Sequence, residues 1–175
     1  MTVSDFIWEY LADAGVEHVF FLPGGGCMYL VDALARQDRI TPVACLHEQG
    51  AAIAACGYAE YRNHLGVCLV TSGPGGTNAI TAVASAWIDS VPLLVISGQV
   101  PFGMRRRPSD KERQKGPQEV DILRGVTPWT KYQLEVRFPR DVFPGFENAV
   151  QCALVHPRGP TWVDICLDVQ GAKIG

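Results

Sequence analysis

Apolar runs of five to seven residues alternate along this chain with stretches whose apolar positions recur three and four apart. The first helical period covers Phe6, Ile7, Tyr10, Leu11 and Ala14, with Thr2 and Asp5 at capping-box spacing ahead of it and Gly15 as a stop. His18–Leu22 (HVFFL) reads as a buried strand running into Pro23-Gly24-Gly25-Gly26. Met28–Gln37 predicts a helix, Pro42–Leu46 a second strand, and Glu48–Arg62 an alanine-rich helix. Leu65–Thr71 predicts a third strand, ending at Ser72-Gly73-Pro74-Gly75-Gly76, after which Thr77 is expected to cap a helix reaching about Asp89. Val91–Ser97 predicts a fourth strand. Residues 101–118 show no sustained period and read as an exposed loop with at most one helical turn. A short helix at Glu119–Arg124, a strand at Lys131–Val136, a helix at Arg140–Val155 and a strand at Thr161–Cys166 complete the pattern.

Strands that are continuous apolar runs, each separated from the next by a helix, belong to a parallel sheet covered on both faces. The expected fold is α/β: one three-layer, doubly wound domain over residues 1–175, with about six parallel strands and helices on both faces. In such sheets ligands bind beyond the carboxyl ends of the strands. The loops at 23–26 and 72–76, the pair His47-Glu48 and the segment Ser97-Gly98-Gln99 all follow strands directly, so they are expected to meet at one edge.

Composition narrows the function. With 47% hydrophobic and 19% charged residues, the chain is not of disordered type. Its 175 residues are enough to bury about 70% of the unfolded surface. A net charge of −3 argues against a general nucleic-acid binder. No apolar stretch approaches the ~18 residues of a membrane span, and the N-terminus lacks the basic region of a signal peptide. The six cysteines (27, 45, 56, 68, 152 and 166) form no CxxC pair and fall mostly in apolar runs, which points to buried free thiols and a cytoplasmic location. Histidines 18, 47, 64 and 156 share no ligand spacing, so no metal site is expected.

Glu48 is the outstanding candidate, a carboxylate between a strand end and an apolar helix start. Burial there favours the neutral carboxyl and the helix N-terminus favours the anion; a plain first-turn helix acid satisfies the pattern equally. His47 reads more simply as a loop histidine. The loops LPGGG (22–26) and SGPGGTN (72–78) are either anion cradles or tight strand-to-helix turns, and neither carries a P-loop or GxGxxG pattern. Ser72 lacks a nucleophile elbow and an assignable base, which counts against a hydrolase. Arg105, Arg106, Arg107, Lys111, Arg113 and Lys115 form either a site for an acidic ligand or a solvated loop.

Taken together, FLPGGGCMYLVDAL (21–34), HEQGAAIAACGYA (47–59), GVCLVTSGPGGTNAITAVASAWIDSVPLLVISGQV (66–100), QEVDI (118–122) and RGPTWVDICLDVQ (158–170) resemble the N-terminal pyrimidine-binding (PYR) domain of thiamine-diphosphate-dependent enzymes, the acetolactate synthase-like group above all. The resemblance implies that Glu48 hydrogen-bonds the aminopyrimidine of thiamine diphosphate and so promotes loss of the thiazolium C2 proton, the first step toward decarboxylation of a 2-keto acid. It implies that Pro23, Gly24, Gly25, Pro74, Gly75 and Asn78 contact the cofactor, and that Gln99 and Gln118 line the substrate side. The family's GDG…N motif is absent from these 175 residues. The diphosphate and its Mg2+ are therefore expected to be held by a PP domain, in a partner chain or in the remainder of the same enzyme. The isolated chain should then be inactive. A PYR–PYR contact between copies is implied as well. The segment RQKGPQEVDI departs from typical acetolactate synthases, which leaves the individual reaction, carboligase or decarboxylase, open. Two alternatives stand beside this one: a non-catalytic PYR-like assembly or regulatory module, and an unrelated anion-binding α/β domain using the 72–78 loop.

Overall fold

The computed structural model describes residues 1–174. Six strands form one sheet: β1 (His18–Phe21), β2 (Thr41–Ala44), β3 (Gly66–Val70), β4 (Leu93–Gln99), β5 (Tyr132–Val136) and β6 (Thr161–Cys166). They are all parallel, in the order β2-β1-β3-β4-β6-β5. The helices are α1 (Val3–Asp13), α2 (Met28–Arg36), α3 (Glu48–Arg62), α4 (Pro74–Asn78), α5 (Ile80–Ile88), α6 (Ile122–Val126), α7 (Val142–Leu154) and α8 (Leu167–Gln170). The α/β sheet expected from the apolar runs is the fold that forms.

Alternation along the buried strands builds a core on each face. Val67 and Leu69 of β3 pack with Trp8, Leu11, Leu30 and Leu34 of α1 and α2 and with Phe146 and Val150 of α7. Cys68 and Val70, pointing the other way, pack with Ala51, Ala55 and Ala59 of α3 and Ala82, Val83 and Ala86 of α5. The small side chains of α3 and α5 make that second layer thin. On the first face, Trp8 reaches across from α1 and its Nε1–H donates to the Leu30 carbonyl at 2.8 Å. The capping box forms as expected, with Asp5 N–H donating to Thr2 Oγ1 at 3.1 Å and Thr2 N–H to Asp5 Oδ2 at 2.9 Å.

Several boundaries differ from the sequence expectation, four of them with an identifiable cause or consequence. The helix after the second glycine loop begins at Pro74, whose fixed φ suits a first helical turn, and Thr77 does not cap it. Thr77 lies inside that turn, and its hydroxyl donates back to the Pro74 carbonyl at 3.0 Å. The short helix runs over Ile122–Val126 instead of Glu119–Arg124, because Asp121 caps it while the Glu119 carboxylate is held by the backbone of the preceding loop. β2 ends at Ala44 and is a mostly exposed edge strand, where Pro42 is tolerated and Leu46 beyond it lies fully exposed. β4 runs on to Gln99, with every residue buried.

β1 has β2 on one side and β3 on the other, so the winding of the chain reverses between β1 and β3. The crevice beyond their carboxyl ends is the switch point at which open parallel sheets bind ligands. Both glycine loops leave the sheet there.

Candidate functional site

Glu48 opens α3, which follows the edge strand β2 through three residues. His47 is the N-cap of that helix: its Nδ1 accepts the Gln49 N–H at 3.1 Å, which gives it a structural task. Glu48 is 8% exposed. Its Oε2 accepts a hydrogen bond from Asn78 Nδ2 at 2.9 Å. Among the described residues its Oε1 has no hydrogen-bond partner. That oxygen faces Gly75, where a Cβ would lie 3.3 Å from Oε1 and 2.7 Å from Thr71 Cγ2. Packing against Thr71 is close enough that position 75 admits no side chain, so none stands over the carboxylate.

Thr71 joins the two glycine loops. Its hydroxyl accepts the Gly26 N–H at 3.0 Å, and a Cβ on Gly24 would fall 2.5 Å from Thr71 Cβ. The sequence reading passed over Thr71; its signal was its place as the last residue of an apolar run, directly before the second loop. Pro23, Gly24 and Gly25, with Met28 and Val31, line an open apolar groove of about 470 Å³. Gly25 and Met28 also border a cavity of about 250 Å³ that is closed by Gly26, Ser72, Gln99, Pro117 and Gln118.

The structure therefore brings Glu48, Gly75 and Asn78 into contact and joins the 23–26 loop to them through Thr71. Pro74 stands exposed on the first turn of α4. Gln99 and Gln118 border the second cavity and differ from each other. Gln118 is exposed and has a left-handed backbone with φ 58°. Gln99 is 1% exposed, and its amide is engaged with internal partners. Ser72 is buried.

The basic segment is an ordered loop. Arg105 lies between Glu135 and Glu119, with Nε 3.0 Å from Glu135 Oε1 and Nη1 3.5 Å from Glu119 Oε1. The Arg106 guanidinium donates to the carbonyls of Glu112 and Asp110, and Lys115 pairs with Asp110 at 2.7 Å. Arg107, Lys111 and Arg113 keep exposed side chains.

A second buried carboxylate, Asp164 on β6, also escaped the sequence reading. Burial pushes its carboxyl up to about 7, against the opposing pull of hydrogen bonds from Ser97 and Gln99 and the charge of Arg105. Burial likewise pushes the Cys56 and Cys166 thiols up to about 12, and all six cysteines are free. Among the described residues no group of three His, Cys, Asp or Glu side chains is placed to hold a metal ion, and no helix is long and apolar enough to cross a membrane.

Known proteins with this pattern can be set beside the geometry. The family profile described as "Thiamine pyrophosphate enzyme, N-terminal TPP binding domain" matches residues 1–124. The acetolactate synthase large subunit of Corynebacterium glutamicum is 39% identical over 175 residues, which are 99% of this chain and 27% of that protein. The chloroplastic acetolactate synthase 1 of Oryza sativa is 40% identical over 167 residues, 95% of this chain and 25% of the relative. A probable acetolactate synthase large subunit of Methanocaldococcus jannaschii is 34% identical over 174 residues, 99% of this chain and 28% of the relative. The chain spans about a quarter of the length of these curated relatives. The profile covers the crevice and both glycine loops, and the chain belongs to the thiamine pyrophosphate enzyme family, in the part that forms its N-terminal TPP-binding domain.

Proposed function

We propose that this chain is the pyrimidine-binding half of a thiamine-diphosphate-dependent lyase or carboligase acting on a 2-keto acid. The observation that carries this reading is Glu48, a buried carboxylate with one oxygen held by Asn78 and the other, against Gly75 of the second glycine loop, without a hydrogen-bond partner among the described residues. These residues fit an aminopyrimidine. A flat ring needs unobstructed approach to the carboxylate, and no side chain at position 75 stands against Oε1. The ring nitrogen needs an acceptor or proton donor within hydrogen-bond reach, and among the described residues Oε1 has no other partner. When bound, thiamine diphosphate supplies the nucleophilic carbon and the electron sink for decarboxylation.

The rest is the work of the chain itself. Asn78 holds Oε2, so any proton that Glu48 accepts or returns passes at Oε1. The loop 23–26, braced on Thr71, walls the groove of about 470 Å³. Glu48 is already nearly buried, so a ring seated against Oε1 excludes the little solvent that reaches it. The names of the relatives favour an acetolactate synthase-like carboligation over simple decarboxylation. The diphosphate and Mg2+ belong to a PP domain elsewhere in the enzyme, and this chain alone is inactive. Leu46, Ile53, Tyr61 and Ile88, all exposed apolar residues on or beside α3 and α5, form the surface that a second PYR domain or the remaining domains cover.

The test is Glu48→Gln in the complete enzyme containing this chain. The variant should assemble normally, yet turn over pyruvate with a loss of roughly 100-fold or more, the range expected for removing a positioned proton-transfer group. Undiminished turnover would remove the assignment. The non-catalytic module is the alternative that such a result would support.

A further inference from the structure

Across the sheet from Glu48, a line of buried polar groups runs from β6 through β4 to the loop carrying Gln118. Ser97 pairs in register with Asp164, and Ser97, Gln99 and Asp164 are each 1% exposed. Trp162 Nε1–H donates to Ser97 Oγ at 2.7 Å, and the Ser97 hydroxyl donates to Asp164 Oδ1 at 2.6 Å. Gln99 Nε2 donates both to Asp164 Oδ2 at 2.9 Å and to the Val120 carbonyl at 3.0 Å, while Gln99 Oε1 accepts the Val100 N–H at 2.9 Å. Each bond fixes the orientation of the next group. If the Gln99 amide turned over, its NH2 would oppose the Val100 N–H, and its oxygen would oppose the Val120 carbonyl and the Asp164 carboxylate.

The loop end of this line is under constraint. Gln118, two residues before Val120, has φ 58°, a left-handed conformation that a side chain disfavours and that persists only where its surroundings hold it. The Glu119 carboxylate accepts the backbone N–H groups of Arg106 at 2.6 Å, Lys115 at 2.9 Å and Gly116 at 3.2 Å. The Gln118 carbonyl lies so close to Gly73 that a Cβ there would fall 2.1 Å from it. The chain is thus anchored on the loop side by Glu119 and on the sheet side by Gln99.

We propose that Asp164 is a positioning residue which, through Gln99, fixes the backbone of residues 118–120 and so presents the Gln118 side chain to the cavity beside the first glycine loop. The consequence for catalysis rests on the reading of that cavity as the substrate side of a 2-keto acid site; the positioning itself does not. Gln99, on this account, acts as a strut whose amide never reaches substrate.

The experiment compares Asp164→Leu, Gln99→Met and Asp164→Asn. Leucine keeps the branched shape but removes the acceptor, and methionine removes the amide at near-constant volume. Asparagine can turn its NH2 toward Ser97 Oγ and keep an oxygen for Gln99, so it is the rescuing variant. In NMR spectra of the 175-residue chain, D164L and Q99M should shift the Gln118 backbone resonances and raise amide exchange at Glu119 at least tenfold relative to β3, with D164N within about threefold of the wild type. The double variant should add little to either single one. The proposal is overturned if Q99M leaves Gln118 and Glu119 unchanged, or if D164N loosens them as much as Q99M does. Q99M carries the test should D164L fail to fold. In the complete enzyme, D164L and Q99M should raise KM for pyruvate more than they lower kcat. A loosened loop with unchanged kinetics upholds the relay and overturns the placing of Gln118 beside substrate.

Discussion

The molecule buries two carboxylates, Glu48 and Asp164, and they are built in opposite ways. Glu48 sits at the mouth of α3 with one oxygen held by Asn78 and the other lacking a protein partner among the described residues. Asp164 sits between β4 and β6 with both oxygens engaged, one by Ser97 and the other by Gln99. An unshared acceptor at a switch point can serve a ligand. A saturated acceptor inside the sheet can only organise its neighbours. Burial alone does not mark a reactive acid; the number of hydrogen bonds left unmade, and where they point, separates the two.

The largest expected effect lies on the Asp164 side and follows from its titration. Its folded value, raised to about 7, lies above the ~3.9 of an unfolded aspartate, so the folded chain holds the proton more tightly between them. This contribution makes stability fall as pH rises from about 4 through 7 and levels off above that. The full span is on the order of 4 kcal/mol from the size of the shift. Asp164→Asn has no such titration and should flatten that part of the profile. The check is the urea midpoint from pH 4 to 8 for both chains. Parallel curves would show that Asp164 ionises freely and that burial does not govern it.

The second expectation separates the two glycine loops beside Glu48. Alanine at 75 would place its Cβ against Thr71 and within 3.3 Å of Glu48 Oε1. It should cost about 1–3 kcal/mol in stability as overpacking and weaken thiamine diphosphate in the complete enzyme. Alanine at 25 meets nothing within 4 Å and should change stability by under about 0.5 kcal/mol. Chemical denaturation of both variants measures the contrast. Equal costs would mean that the open approach to Glu48 Oε1 is not set by position 75.

Much of this was legible beforehand. Continuous apolar runs such as VCLV and PLLVIS announced buried parallel strands, and three of the four segments expected at one edge follow strands, while Ser97-Gly98-Gln99 forms the last three residues of β4 instead of a segment beyond it. Glu48 was readable because a strand end, an acid and an apolar helix start adjoin in sequence. Asp164 was not, because it lies inside TWVDIC, where a lone acid in an apolar run gives no sign of its partners. Those partners, Ser97 and Gln99, are more than 60 residues away and reach it only through the β4–β6 register. The same cause hid the order of the 101–118 loop. Its arginines read as either a site for an acidic ligand or a solvated loop, yet Arg105 meets Glu135 on a strand that the sequence places 30 residues later. Thr77 and Glu119 were misassigned as helix signals because each makes a backbone contact that local pattern does not distinguish from a cap.

The smallest effect is the sharpest on the comparison itself. A double-mutant cycle on Glu48 and Asn78 measures how much the single tether contributes. One hydrogen bond to a charged group is worth about 1.5–3 kcal/mol when its surroundings are dry. The open oxygen of Glu48 lets solvent share the charge, so the coupling should fall to about 1 kcal/mol or less in the unliganded chain. The matching cycle on Ser97 and Asp164 should exceed it, since that bond is wholly buried and Trp162 donates to the same hydroxyl. Asn78→Ala should therefore leave the fold nearly as stable, and in the complete enzyme it should lower turnover by less than Glu48→Gln does. If the Glu48–Asn78 coupling equals or exceeds that of Ser97–Asp164, Glu48 is a structural acid like Asp164, and the contrast between the two carboxylates disappears.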